Sequence, residues 1–101
     1  MMSSVVGPRR KEIALPIQVQ SHVRSVIDAD GAVLLDLKRG TYYSLNGVGA
    51  DIWVKLESGL TLPEIAVHLS GIYDESIETV RGDVSHFVDA LSQKGLVHVA
   101  G

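Results

Sequence analysis

At 101 residues and a formal charge of −3, the chain is sized for one domain with a single modest core. Apolar residues make up 46% and charged residues 21%, an ordinary balance for a globular protein. The lack of cysteine excludes disulfides, thiol catalysis and thiolate-held zinc or iron–sulfur centres, and no apolar run is long enough for a membrane span.

Residues 1–16 hold small residues, Gly7-Pro8 and the basic cluster Arg9-Arg10-Lys11, without apolar periodicity, and are expected to form a mobile arm. Met1-Met2-Ser3-Ser4 lacks the charged-then-apolar layout of a secretory signal, so a cytoplasmic protein is the expectation. From Ile17 the pattern alternates. Ile17, Val19, Ser21, Val23, Ser25 and Ile27 fall on one face, which predicts a half-buried strand beginning after Pro16. Asp30-Gly31 predicts a tight turn with glycine at positive φ. The second strand, from Ala32, is expected to turn Val33, Leu35 and Leu37 toward the core. Lys38-Arg39-Gly40 closes another turn, and Thr41-Tyr42-Tyr43-Ser44-Leu45 makes a third strand.

Helices follow. Asn46 is placed to cap the first, whose stripe is Val48, Ile52, Trp53 and Leu56, with Ser58-Gly59 as its end. Thr61-Leu62-Pro63-Glu64 reads as a capping box for a short helix that buries Leu62, Ile65, Ala66 and Leu69 and stops at Gly71. Ser76 caps a longer third helix with a stripe of Ile77, Val80, Val84, Phe87, Val88 and Leu91, closed by Lys94-Gly95-Leu96. Gly82 lies inside it, and Val97-His98-Val99 is expected to be extended. The order is βββααα, an α+β, winged-helix-like domain over residues 17–101: a three-stranded antiparallel meander followed by three helices.

No catalytic constellation emerges. His22, His68, His86 and His98 show no metal-ligand spacing; Asp83 and His86 are close enough on one helix to meet. Gly47-Val48-Gly49 lacks the third glycine and the βαβ setting of a phosphate loop. The expectation is a protein that is not an enzyme and carries neither metal nor cofactor. What remains is a surface. The third strand lies at a sheet edge if the meander keeps sequential order, and no charge, proline or bulge blunts it. Such an edge beside an amphipathic helix can dock an extended peptide. The amino-terminal arm or a second copy of the chain are its alternative covers, and the oligomeric state is left open.

The run Gly31-Ala32-Val33-Leu34-Leu35-Asp36, then Gly40-Thr41-Tyr42-Tyr43-Ser44-Leu45-Asn46 and Gly49-Ala50-Asp51-Ile52-Trp53, resembles the PqqD family of RiPP recognition elements. Thr61-Leu62-Pro63-Glu64-Ile65, Tyr73-Asp74, Asp83-Val84, Phe87-Val88, Leu91 and Gly95-Leu96-Val97 continue the likeness, which spans roughly residues 17–97. The resemblance implies binding of the leader segment of a ribosomally made precursor peptide. The leader would add as a strand to Thr41, Tyr42, Tyr43, Ser44 and Leu45. Val80, Asp83, Val84, Phe87, Val88 and Leu91 of the third helix would wall the groove, with Phe87 a core anchor and Val84 and Val88 wall residues. Tyr43→Pro would then abolish binding if that N–H points at the peptide.

The implied partner enzyme is a lasso-peptide leader peptidase or, as the alternative, the radical enzyme served by PqqD-type chaperones. A winged-helix DNA binder is the rival of another class. Residues 61–94, however, set only Arg81 and Lys94 against six acids, and residues 46–101 carry three bases against eight acids, a poor surface for a polyanion.

Overall fold

A computed structural model of the chain describes residues 17–99; the expected arm, with its basic cluster, lies outside the described residues. Five strands and three helices follow one another: β1 (Ile17–Val19), β2 (Val23–Asp28), β3 (Gly31–Asp36), β4 (Thr41–Leu45), α1 (Gly47–Glu57), α2 (Leu62–Tyr73), α3 (Ile77–Gln93) and β5 (Val97–Val99). Strands β2, β3 and β4 form an antiparallel sheet in sequential order, as the meander predicts, and three helices follow it. The likeness to a winged helix is only loose. The extended Val97–Val99 segment does form, and it pairs with β1 as a separate two-stranded sheet (Ile17 opposite Val99).

That pairing divides the strand expected from Ile17. Gln20 donates its N–H to Leu96 O, and Val23 donates to Gln20 O, so the chain turns at Ser21-His22 before entering the main sheet. A uniform alternation of residue types cannot reveal that the partner strand changes midway.

The register of β3 is the reverse of the sequence expectation. Ala32, Leu34 and Asp36 face the helices and are buried, whereas Leu35 and Leu37 are exposed. Five of the six residues from Ala32 to Leu37 are apolar, so the pattern defines no face, and the one polar residue misleads. Asp36 is buried because its Oδ1 accepts the N–H groups of Lys38 and Arg39, both at 3.0 Å, inside the β3–β4 turn. The β2–β3 turn also departs from expectation. Its central residues are Ala29 and Asp30, held by Asp28 Oδ1, which accepts from Asp30 and Gly31 N–H. Gly31 is in the strand without positive φ, and its reason is proximity: a Cβ there would collide with the carbonyl oxygen of Leu45.

The helices keep their predicted starts. Asn46 Oδ1 accepts Gly49 N–H at 2.8 Å, and Ser76 Oγ accepts Thr79 N–H. Thr61 and Glu64 form the capping box, with Thr61 N–H donating to Glu64 Oε1 at 2.8 Å. These bonds draw Glu64's carboxyl below the ordinary carboxylate range, the Thr61 backbone N–H contributing most. Gly71 does not stop α2. The helix runs on to Tyr73 and ends where Asp74 adopts a left-handed conformation, φ 54°. Gly95, φ 75°, ends α3, and Leu96 N–H returns to Leu91 O while its side chain drops into the core.

Trp53, Leu34, Ile65, Leu69, Leu96 and Val84 are the largest fully buried apolar side chains among the described residues. Sheet and helices are thus joined through α1, with α2 and α3 packed beside it. Val48 and Ile77, expected on the buried stripes, are exposed in the first turns of their helices.

Candidate functional site

The order β2-β3-β4 leaves β4 at an edge, and no strand lies beyond it among the described residues. Which of its groups are free follows from the hydrogen-bond phase. Leu37 donates to His22 O, so Leu37 points its backbone at β2; Asp36, one residue earlier, points at β4, as its carbonyl bond from Gly40 N–H also requires. Asp36 is opposite Thr41, Leu34 opposite Tyr43 and Ala32 opposite Leu45. Thr41, Tyr43 and Leu45 therefore spend their backbone groups on β3. Tyr42 and Ser44 direct theirs outward. The condition attached to Tyr43→Pro, that its N–H point at the peptide, is therefore not met: that N–H faces β3.

The side chains divide by the same alternation. Tyr43 and Leu45 lie on the helix side and pack against the core; Tyr42 is 69% exposed on the opposite face. Beside the edge runs a groove of about 520 Å³ whose far wall is α3, through Phe87, Ala90, Leu91 and Lys94, with Leu96 also lining it. Those four α3 positions fall at i, i+3, i+4 and i+7, one helical stripe. Lys94 Nζ stands 5.7 Å from the centre of the Tyr43 ring, a cation–π contact across the groove. Arg39, in the β3–β4 turn, donates to Lys94 O at 2.7 Å and so ties that turn to the carboxyl end of α3.

Asp36 braces the turn from beneath. Its Oδ2 is buried with no partner among the described residues, and His22 Nε2 lies 3.8 Å from Oδ1.

The expected division of labour on α3 is reversed. Val84 and Val88 are buried core residues, while Phe87 is partly buried and lines the groove. The stripe of six apolar residues is wider than the core contact, and Phe87 lies on its sheet-edge side, where the helix leaves the core. Val88 reaches neither the groove nor the smaller hollow beyond it. That hollow is lined by Val80, Asp83 and Val84 together with Val48 and Ile52, so those three site candidates are gathered elsewhere than expected. Thr41 is exposed at the start of β4, outside the lining of either hollow. Ala90, Lys94 and Leu96 are lining residues the sequence reading omitted; helical spacing from Phe87 and Leu91 was the available signal for the first two.

Among the described residues no group of three or more His, Asp or Glu is arranged to hold a metal ion, and no ion pair joins Asp83 to His86. No described helix is long and apolar enough to cross a membrane.

Fold and site together define a class of module: a small α+β domain presenting an open strand edge with a helix wall, suited to an extended polypeptide. The family model for coenzyme PQQ synthesis protein D (PqqD) matches residues 31–97, and the chain belongs to the PqqD family. Among solved structures it is similar to TbiB1 in complex with the TbiA(beta) leader peptide, with 34% identity, TM-score 0.79, and 83% of this chain and 98% of that chain covered. It also resembles lasso peptide synthetase B1 complexed with its leader peptide (24% identity, TM-score 0.75, 81% and 96% covered). A third likeness is to the PqqD truncation of Methylobacterium extorquens PqqCD, a stand-alone RiPP recognition element (20% identity, TM-score 0.69, 82% and 88% covered). The last two bear on the fold alone. A search of curated proteins found no match.

Proposed function

We propose that this chain recognises the leader segment of a ribosomally synthesised precursor peptide, without chemistry of its own, and delivers the precursor to a processing enzyme. The observation that carries this reading is the open β4 edge: Tyr42 and Ser44 offer outward backbone groups directly beside the groove walled by Phe87, Leu91 and Lys94. A leader pairing there antiparallel gains main-chain hydrogen bonds from β4 and side-chain burial against α3. The 34% identity to a protein solved with a leader peptide supports the same reading.

A lasso-type leader peptidase is the preferred recipient. A radical enzyme, as served by PqqD-type chaperones, is the alternative recipient. The acidic helical half argues against the DNA-binding reading, which nothing in the site favours.

Titration of a fluorophore-labelled leader peptide from a cognate precursor tests the proposal by anisotropy. Saturable binding that Ser44→Pro weakens about thirty-fold is expected. Absence of binding at high micromolar protein would sink the proposal. Adding the chain to peptidase and precursor should speed leader removal; an unchanged rate would reject the preferred recipient.

A further inference from the structure

Leu45, Gly49 and Phe87 meet at one point. An added Cβ on Gly49 would lie 3.3 Å from Phe87 Cε1 and 3.4 Å from the Leu45 Cβ, so the aromatic ring is seated against the end of β4 and the first turn of α1. Phe87 thereby partitions the surface along α3 into two hollows. The one beside β4 has Lys94 as its charged residue and no carboxylate in its lining.

The second, about 240 Å³, has an apolar floor including Val48, Ile52, Val80 and Val84, with Glu75 and Asp83 on its lining and no cation. It is smaller than pockets that take whole drug-sized ligands, and suits one bulky side chain. Asp83 and Glu75 are exposed, and no cation pairs with either among the described residues. Tyr73 lines the same hollow, its hydroxyl donating to Asp51; that bond, first, and burial hold the phenol above its ordinary range, so the tyrosine stays neutral and the acids set the charge.

We infer that the groove reads charge polarity along its guest: the upstream flank of the bound peptide places an apolar side chain in the second hollow and a Lys or Arg beside Asp83 and Glu75. This rests on the proposed strand addition at β4. A guest antiparallel to β4 enters at Leu45 and leaves toward Thr41, so its amino-terminal flank is the part that passes Phe87 to reach Val48. From Leu91 to Asp83 is eight residues of helix, about 12 Å at 1.5 Å per residue. An extended guest covers that in about four residues. The cationic residue therefore precedes the strand-pairing segment by about that number. At the opposite end, Lys94 disfavours a second cation.

A displayed library of random linear peptides, panned on the wild-type chain and on the Asp83→Lys/Glu75→Lys variant, reads this directly. Wild-type binders should carry an apolar residue with Lys or Arg upstream of a β-prone stretch; the variant should replace the cation with Asp or Glu. For one synthesised wild-type binder, the double reversal should weaken binding roughly five-fold at low salt, with the difference shrinking toward 1 M salt, where charges more than about 3 Å apart are largely screened. Binders that depend on Ser44 yet show no upstream charge preference, or show it downstream, overturn the inference and leave strand addition standing. A library yielding no binder sensitive to Ser44→Pro overturns both.

Discussion

The two edges of the main sheet are built to different ends. On β2 the outward-facing residue Val23 has both backbone groups occupied: its N–H donates to Gln20 O, and Arg24 Nη1 donates to its carbonyl at 3.1 Å. Arg24 also reaches Ser21 O at 2.8 Å, which pins a charge over that edge. On β4 the outward groups of Tyr42 and Ser44 meet no such device among the described residues, and the strand itself carries no charged side chain. Charged side chains and early termination are the usual protection against unwanted pairing. The Val23 end of the β2 edge has that protection and β4 has none, which supports the proposal that β4 is the edge offered to a guest.

Proline substitution breaks this contrast most sharply. Ser44→Pro removes an N–H that the fold itself does not use, and should weaken leader binding roughly thirty-fold with little change in stability. Ser25→Pro does the same to the opposite edge and should leave binding unchanged. Equal losses from both, in matched anisotropy titrations, would show that the edges are equivalent. Gly31→Ala tests how closely β3 must approach β4. Its Cβ would meet Leu45 O, a backbone atom, so the end of β4 must move. A cost of about 1–3 kcal/mol in urea denaturation is expected, along with weaker peptide binding. Full stability would mean that the hairpin has slack the geometry does not show.

Gly82 offers a matched gain. It is exposed in α3, with nothing within 4 Å of an added Cβ, so Gly82→Ala should stabilise by about 0.5–1 kcal/mol and leave binding untouched. A changed affinity there would extend the site onto the outer face of α3. The smallest effect concerns acid stability far from either edge. Glu64's carboxyl is lowered in the folded state, so its contribution is complete above the unfolded value and fades as pH falls below about 4.5 through the folded one. Glu64→Gln should remove that acid-limb contribution from a pH series of melting temperatures. An identical profile would assign the capping box no part in it.

The sequence carried the helix starts unambiguously because caps are local chemistry: Asn46, Thr61 with Glu64, and Ser76 each supply the acceptor that a first turn lacks. Position of β4 at the edge was likewise readable, since two short turns compel a meander. The faces were not. Ala32 to Leu37 is too uniformly apolar to fix a register, and Asp36 inverted the obvious choice by turning inward to hold a turn. The lost register took the inward orientation of Tyr43 with it. Phe87 was misplaced for a related reason: size marks a residue as apolar but not on which side of a wide stripe it falls. The split between β1 and β2 depended on β5, about eighty residues further along the chain, and no local pattern encodes a change of partner.

Trp53, the single tryptophan, is wholly enclosed by the core and lines neither hollow. Its ultraviolet emission will accordingly follow loss of the fold and stay silent to an arriving guest. The molecule thus carries its own internal reporter, by which a variant that no longer captures peptide can be distinguished from one that has merely come apart.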